Sequence, residues 1–167
     1  MPVWEEDGFK MCQSSAILRM LAIRTGYYSE DPMTCWAIDS LVDFAEDMQG
    51  PHVYMYAPLL GGAPLDPSRA DDWFTKFWDK TIGVYEKRLA GHGKKFLAGT
   101  DRPTMADFKA FGTVIMNLDS NQGNVLPEDI RNRVKAKIQG SQNYARWVGY
   151  MEQECANYIR SRTPTPF

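Results

Sequence analysis

Gln13-Ser14-Ser15-Ala16-Ile17 sets small polar residues where a strand gives way to a helix. The first turn of a helix offers unpaired N–H groups and a partial positive charge, and so binds carboxylates. The Ser14 hydroxyl and N–H can both face an anion, while Gln13 can hydrogen-bond a carboxylate or an amine. The plainer role of the same residues is capping, with Ser14 or Ser15 as N-cap. A second pattern, Met1-Pro2-Val3, leads into a strand. An X-Pro bond ahead of an edge strand is either a cis peptide or an ordinary trans one. A cis bond would leave the Val3 N–H and C=O free to pair with an extended peptide ligand. The third pattern, Thr104-Met105-Ala106-Asp107, is a capping box with Asp in the Glu position. Its role is structural, starting a buried helix.

Other chemistries lack their residues. There is no glycine-rich phosphate loop and no Cys/His cluster, so no metal site is predicted. His52 and His92 stand beside Pro or Gly and are expected to be solvated loop residues. Cys12, Cys35 and Cys155 are far apart and odd in number. They are expected to be reduced and buried, in the cytoplasm or another reducing compartment. Cys12 in particular is placed in a buried strand, where packing is its expected role. A net charge of -2 gives no electrostatic case for nucleic acid or an anionic membrane surface. No apolar run approaches the roughly 20 residues that span a bilayer. Residues 1–10 are polar and acidic and do not read as a signal peptide.

The elements that must position these residues follow from periodicity. Residues 2–12 read as two short strands around an Asp7-Gly8 turn, a strong hairpin signal. Such a hairpin is marginal alone and needs a partner surface. A helix follows through Ile17, Leu18 and Leu21 and ends at Gly26. Residues 27–32 form a linker. From Met33 onward the chain reads as five or so helices. Ile38, Leu41, Val42, Ala45 and Met48 mark the first, interrupted at Gly50-Pro51. A glycine- and proline-rich loop covers 61–67. A long helix over about 71–89 carries Phe74, Phe77, Trp78 and Tyr85 and stops at Gly91 and Gly93. The next starts at Thr104, and a short one carries Ile130, Val134 and Ile138. The last presents Tyr144, Trp147, Val148, Met151, Cys155, Tyr158 and Ile159 as one apolar face. The fold class is therefore mainly α.

Taken in order, the three patterns resemble the glutathione transferase family. The stretch from Met1 through Cys12-Gln13-Ser14-Ser15-Ala16-Ile17 to Leu21 is similar to the second half of that family's thioredoxin-like domain. Gly26-Tyr27-Tyr28 resembles its linker. Phe96-Leu97-Ala98-Gly99 with Thr104–Phe108 resembles the signature of its helical domain, and Pro164-Thr165-Pro166-Phe167 resembles the ending of sigma- and mu-like members. The resemblance implies a partial thioredoxin-like β-hairpin and helix over 1–26, then the complete helical bundle over 33–167. It implies that Pro2 is a cis-proline, that the Val3 backbone pairs with the cysteinyl part of glutathione, and that Gln13 and Ser14 hold the γ-glutamyl end. Asp47 lies where alpha-, pi- and sigma-like members place an acid reaching the γ-glutamyl amine in the neighbouring subunit. Arg19 lies on the face that meets that subunit.

The family's strand–helix–strand that precedes this stretch carries the residue stabilising the glutathione thiolate, and the chain looks N-terminally truncated by comparison. No catalytic residue is assigned. Glutathione is expected as substrate or weak ligand, and the partner as a second copy or a larger assembly. Two functions follow: a transferase-like protein with impaired or absent conjugating activity, or a non-catalytic structural or interaction subunit retaining the helical fold.

Overall fold

The computed structural model describes residues 2–118 and 126–163. The Met1–Pro2 bond and the 164–167 ending lie outside the described residues. Strands β1 (Trp4–Glu6) and β2 (Phe9–Met11) form an antiparallel hairpin with Trp4 opposite Met11, Glu5 opposite Lys10 and Glu6 opposite Phe9. Asp7 and Gly8 take φ of 50° and 79°, the positive pair that a tight two-residue turn requires. Helix α1 (Ser14–Thr25) follows and ends at Gly26, left-handed at φ 78°. Arg24 of α1 binds the Glu6 carboxylate at 2.6 Å and so ties the hairpin down.

The linker is strapped rather than loose. The Tyr27 carbonyl accepts from Met105 N–H at 3.0 Å, and the Tyr27 ring meets Phe108 edge-on at 4.9 Å. The remaining helices are α2 (Pro32–Asp47), α3 (Gln49–Leu60), α4 (Pro67–Trp73), α5 (Asp79–His92), α6 (Met105–Leu118), α7 (Glu128–Gln139), α8 (Gln142–Glu154) and α9 (Ala156–Ser161). A π-helical turn, Phe74–Trp78, joins α4 to α5. The architecture is mainly α with one small antiparallel sheet, as expected.

Several expectations about single elements change. Eight α-helices follow the linker among the described residues, where five or so were expected. The first stripe breaks at Met48, and Gly50 and Pro51 sit inside the first turn of α3. A proline costs nothing there, because first-turn N–H groups have no intrahelical acceptor. The long helix starts earlier, at Pro67, because the Asp66 side chain accepts from Ser68 N–H at 2.9 Å and caps it. The last stripe divides at Cys155, and Tyr158 on α9 is 59% exposed rather than part of the apolar face.

One core joins α2, the α4–α5 rod, α6, α7 and α8 around Trp73, Trp78, Phe111, Tyr85, Tyr144 and Trp147. His52 is no solvated loop residue. It lies on α3, 4% exposed, against the Phe77 ring at 4.9 Å and Met116 Sδ at 3.2 Å. His92 closes α5 and is half-buried, with Nδ1 accepting from Lys94 N–H at 3.0 Å. The cysteines are not buried either. Cys12 is exposed and the other two are half-buried. Among the described residues no further strand pairs with the hairpin, and Phe9 on it is 68% exposed, with Val3 just ahead of it at 61%.

Candidate functional site

The start of α1 differs from a capped helix end. Its cap position is Gln13, and neither Ser14 nor Ser15 takes the N-cap role expected of them. Gln13 holds φ 74° and ψ 103°, a strained conformation for a residue with a side chain. Such strain costs on the order of 1–3 kcal/mol and collects at functional sites. No side chain caps the turn, and the Gln13 and Ser14 side chains are exposed. The first turn is thus presented to solvent with its positive end uncovered.

Ser15 explains how that turn is held. Its hydroxyl donates to Glu46 Oε1 at 2.7 Å, docking the turn onto the end of α2. Lys109 Nζ of α6 donates to the same oxygen at 2.5 Å. The Lys109 ammonium, with the Ser15 hydroxyl second, holds the Glu46 carboxyl below the usual range. Asp47 follows directly, exposed, with no ion pair or hydrogen bond among the described residues. The Ser15–Glu46 hydrogen bond joins the first turn of α1 to the end of α2, and Gln13, Ser14 and Asp47 are chain neighbours of those two residues. Pro2 and Val3 lead into the hairpin, and Val3 stands one residue ahead of the first ladder pair.

Arg19 is occupied within the chain. Its Nε donates to Asp39 Oδ1 at 3.0 Å, and the Tyr28 hydroxyl donates to Asp39 Oδ2 at 2.8 Å. Burial and then Asp39 push the Tyr28 hydroxyl up to about 12. This cluster clamps α1, the linker and α2 together.

Glu46 and Lys109 were not singled out from the sequence, and Ser15 was read only as a possible N-cap. Glu46 and Lys109 lie 63 positions apart, and no local spacing signals their meeting. Among the described residues no group of three His, Cys, Asp or Glu could hold a metal ion, and no helix is long and apolar enough to cross a membrane. Surface hollows lie elsewhere. One of about 270 Å³ is lined by Gly50, Pro51, Tyr54, Asp72, Trp73 and Lys76. None of its lining residues belongs to α1, and its Lys76 and Asp72 are paired with each other at 2.6 Å.

No protein-family model matches the sequence. A solved glutathione S-transferase from Ascaris lumbricoides superposes on all of this chain and 76% of its own, with a TM-score of 0.79 at 22% identity. The fold is that of the glutathione S-transferases. A monomeric transferase from the hookworm Necator americanus agrees with a TM-score of 0.78 at 20% identity, over 100% of this chain and 76% of its own. In sequence, glutathione S-transferase 3 of Gallus gallus is 29% identical over 116 residues, covering 70% of this chain and 49% of its own length. The chain spans about half the length of the curated relatives it matches. The transferase fold accounts for both parts of the molecule, a partial thioredoxin-like start and a helical domain.

Proposed function

We propose that this chain is a glutathione transferase-like protein with a partial glutathione site and little or no conjugating activity of its own. The observation that carries this reading is the uncapped, exposed first turn of α1 at Gln13 and Ser14 on a transferase fold. The uncovered first turn of α1 suits the γ-glutamyl carboxylate, with the Ser14 hydroxyl and N–H as donors. Asp47 is an unpaired carboxylate suited to the γ-glutamyl ammonium, in the same protomer or across a two-fold axis. Arg19 and its Asp39 clamp lie on the face where a second copy would sit. Val3, ahead of the ladder, offers its backbone to the cysteinyl part, and Pro2 shapes that approach. The proposed division is 1–26 for the glutathione-binding part and 33–167 for the helical domain.

Conjugation needs the thiol held as thiolate near neutral pH, by a donor aimed at the sulfur. None of the assigned residues is such a donor. Losing one donor of this kind costs about 3–4 kcal/mol in the transition state. Calorimetric titration of the chain with reduced glutathione is expected to show weak binding. An assay with a general electrophile across a pH series is expected to show little turnover. Saturable turnover at the level of an ordinary transferase would overturn the second half of the reading, and absence of binding the first.

A second reading is favoured by the bare hairpin. Val3, just ahead of β1, and Phe9 on β2 are exposed apolar side chains, the outer edges of the hairpin pair with no other strand among the described residues, and such surface marks a partner. In that reading the chain serves as a non-catalytic subunit of a larger assembly. A chain that is insoluble alone and folds only with a partner would favour it.

A further inference from the structure

We infer that the helical core binds one water molecule through the Thr81 hydroxyl and the Trp78 indole N–H, a site independent of the glutathione reading. Both side chains line a cavity of about 10 Å³ among α2, α5, α6 and α8, together with Tyr85, Thr113 and Tyr144. Trp78 is fully buried and Thr81 is 6% exposed, yet Trp78 Nε1 and Thr81 Oγ1 have no hydrogen-bond partner among the described residues. Buried polar groups are costly to leave unpaired, so two at one cavity call for a shared partner. The indole N–H can only donate, while the hydroxyl donates and accepts. The partner must therefore accept from one, and bond the other in either sense, as water does.

The π-helical turn sets the register of these side chains. Its ladder slips by one residue, and Asp79 N–H reaches the Phe74 carbonyl. One inserted residue advances each later side chain by about 100° round the rod. Thr81 also departs from what helical threonines usually do, which is to return the hydroxyl to the carbonyl four residues back. Thr25 and Thr75 do so, to Leu21 at 2.7 Å and to Asp71 at 3.0 Å. The Thr81 hydroxyl is not spent in that way. The cavity lining carries no charged side chain, which argues against an ion. Its volume admits the centre of a single water and nothing larger. Tyr85, Thr113 and Tyr144 bring further hydroxyls to the same lining, and a buried water makes about three hydrogen bonds.

The test joins crystallography to a sign test on stability. A crystal structure of the wild-type chain that shows ordered solvent should place one water within about 3 Å of both Thr81 Oγ1 and Trp78 Nε1. An empty cavity, or two groups bonded to protein atoms instead, would overturn the inference. Thr81→Val keeps the shape of the side chain and removes its hydroxyl. If a water is held there, the variant loses one of its bonds and should melt about 2–4 °C lower than the wild type. If the hydroxyl is simply unpaired, exchanging it for a methyl is neutral or stabilising. A Thr81→Val chain that melts at or above the wild-type temperature would therefore also overturn the inference. Thr81→Ser keeps the hydroxyl, and its crystal structure should keep the water. That variant and the wild type decide the matter if Thr81→Val does not fold, and loss of the water from Thr81→Ser would count against the site.

Discussion

Helices α1 and α6 begin in opposite ways. At α6 the Asp107 carboxylate is fully buried and accepts four hydrogen bonds, from Leu97 N–H, Thr104 N–H, Thr104 Oγ1 and Trp147 Nε1, all between 2.8 and 2.9 Å. Burial pushes the Asp107 carboxyl up, and the four donors pull it back. At α1 the first turn has no side-chain cap, its lead residue is strained, and its polar side chains face water. Each end faces the same physical demand, partners for the free N–H groups of a helix start. The α6 end takes them from the protein and becomes a stability element. The α1 end leaves them without a side-chain cap, and its anchoring passes to Ser15 and Glu46 a step away. Saturation by the protein and availability to a ligand exclude each other at one helix end.

The comparison breaks first at Asp107. Asp107→Ala would leave three buried N–H donors and a hydroxyl without an acceptor, and is expected to cost about 3 kcal/mol or more. Thr104→Ala, which removes one donor and no acceptor, should cost only about 1 kcal/mol. Chemical denaturation of both variants measures the difference. Equal small losses would mean that the network is replaced by water and that the two helix starts are not so different.

The second effect tests how sealed the core is. His52 touches the Phe77 ring, and burial alone lowers its imidazole from the ordinary 6.5 to about 4. Between those values the unfolded chain binds a proton that the folded chain does not. Stability is therefore full above pH 6.5 and falls as pH drops towards 4, by on the order of 3 kcal/mol at the limit. Denaturant midpoints from pH 7 to pH 4 measure the slope, and His52→Phe should flatten it. An unchanged slope in that variant would assign the loss to carboxylates elsewhere.

Much of this contrast was legible in the residues and part was not. Local rules read well. Asp7-Gly8 gave the turn, Gly26 and Gly93 the helix ends, and the Thr104–Asp107 spacing the box. The apolar stripe of α2 became its buried face, with Ile38, Leu41, Val42 and Ala45 all in the core. Failures came where a distant partner decided the outcome. His52 beside Pro51 looked like a loop residue because its burial comes from Phe77 and Met116, well along the chain. Cys12 looked buried because a strand normally packs on a sheet, and among the described residues the hairpin has none beside it. The α8 start was unreadable in the same way. Its N–H groups at Asn143 and Tyr144 go to the Glu86 carboxylate of α5, at 3.2 and 2.7 Å, and not to the adjacent Ser141. Of the site, residue types at the α1 start were legible. Their anchoring was not, since Ser15, Glu46 and Lys109 come from three helices.

The smallest expected effect on stability carries the sharpest form of the comparison. Ser14→Ala removes a hydroxyl that caps nothing, has no hydrogen bond among the described residues and sits exposed at the first position of α1. Alanine is a good helix former, and the hydroxyl is no cap, so stability should stay within about 0.5 kcal/mol of the wild type. Glutathione affinity should nevertheless fall, by roughly tenfold for one lost hydrogen bond to a charged group. Paired measurement decides it: a denaturation midpoint and a calorimetric titration on the same preparation. Ser15→Ala is the internal control, because it breaks the Glu46 anchor and should lower both quantities. A Ser14→Ala chain that loses stability while keeping its affinity would make Ser14 a cap after all, and α1 would then begin as α6 does, saturated by its own chain.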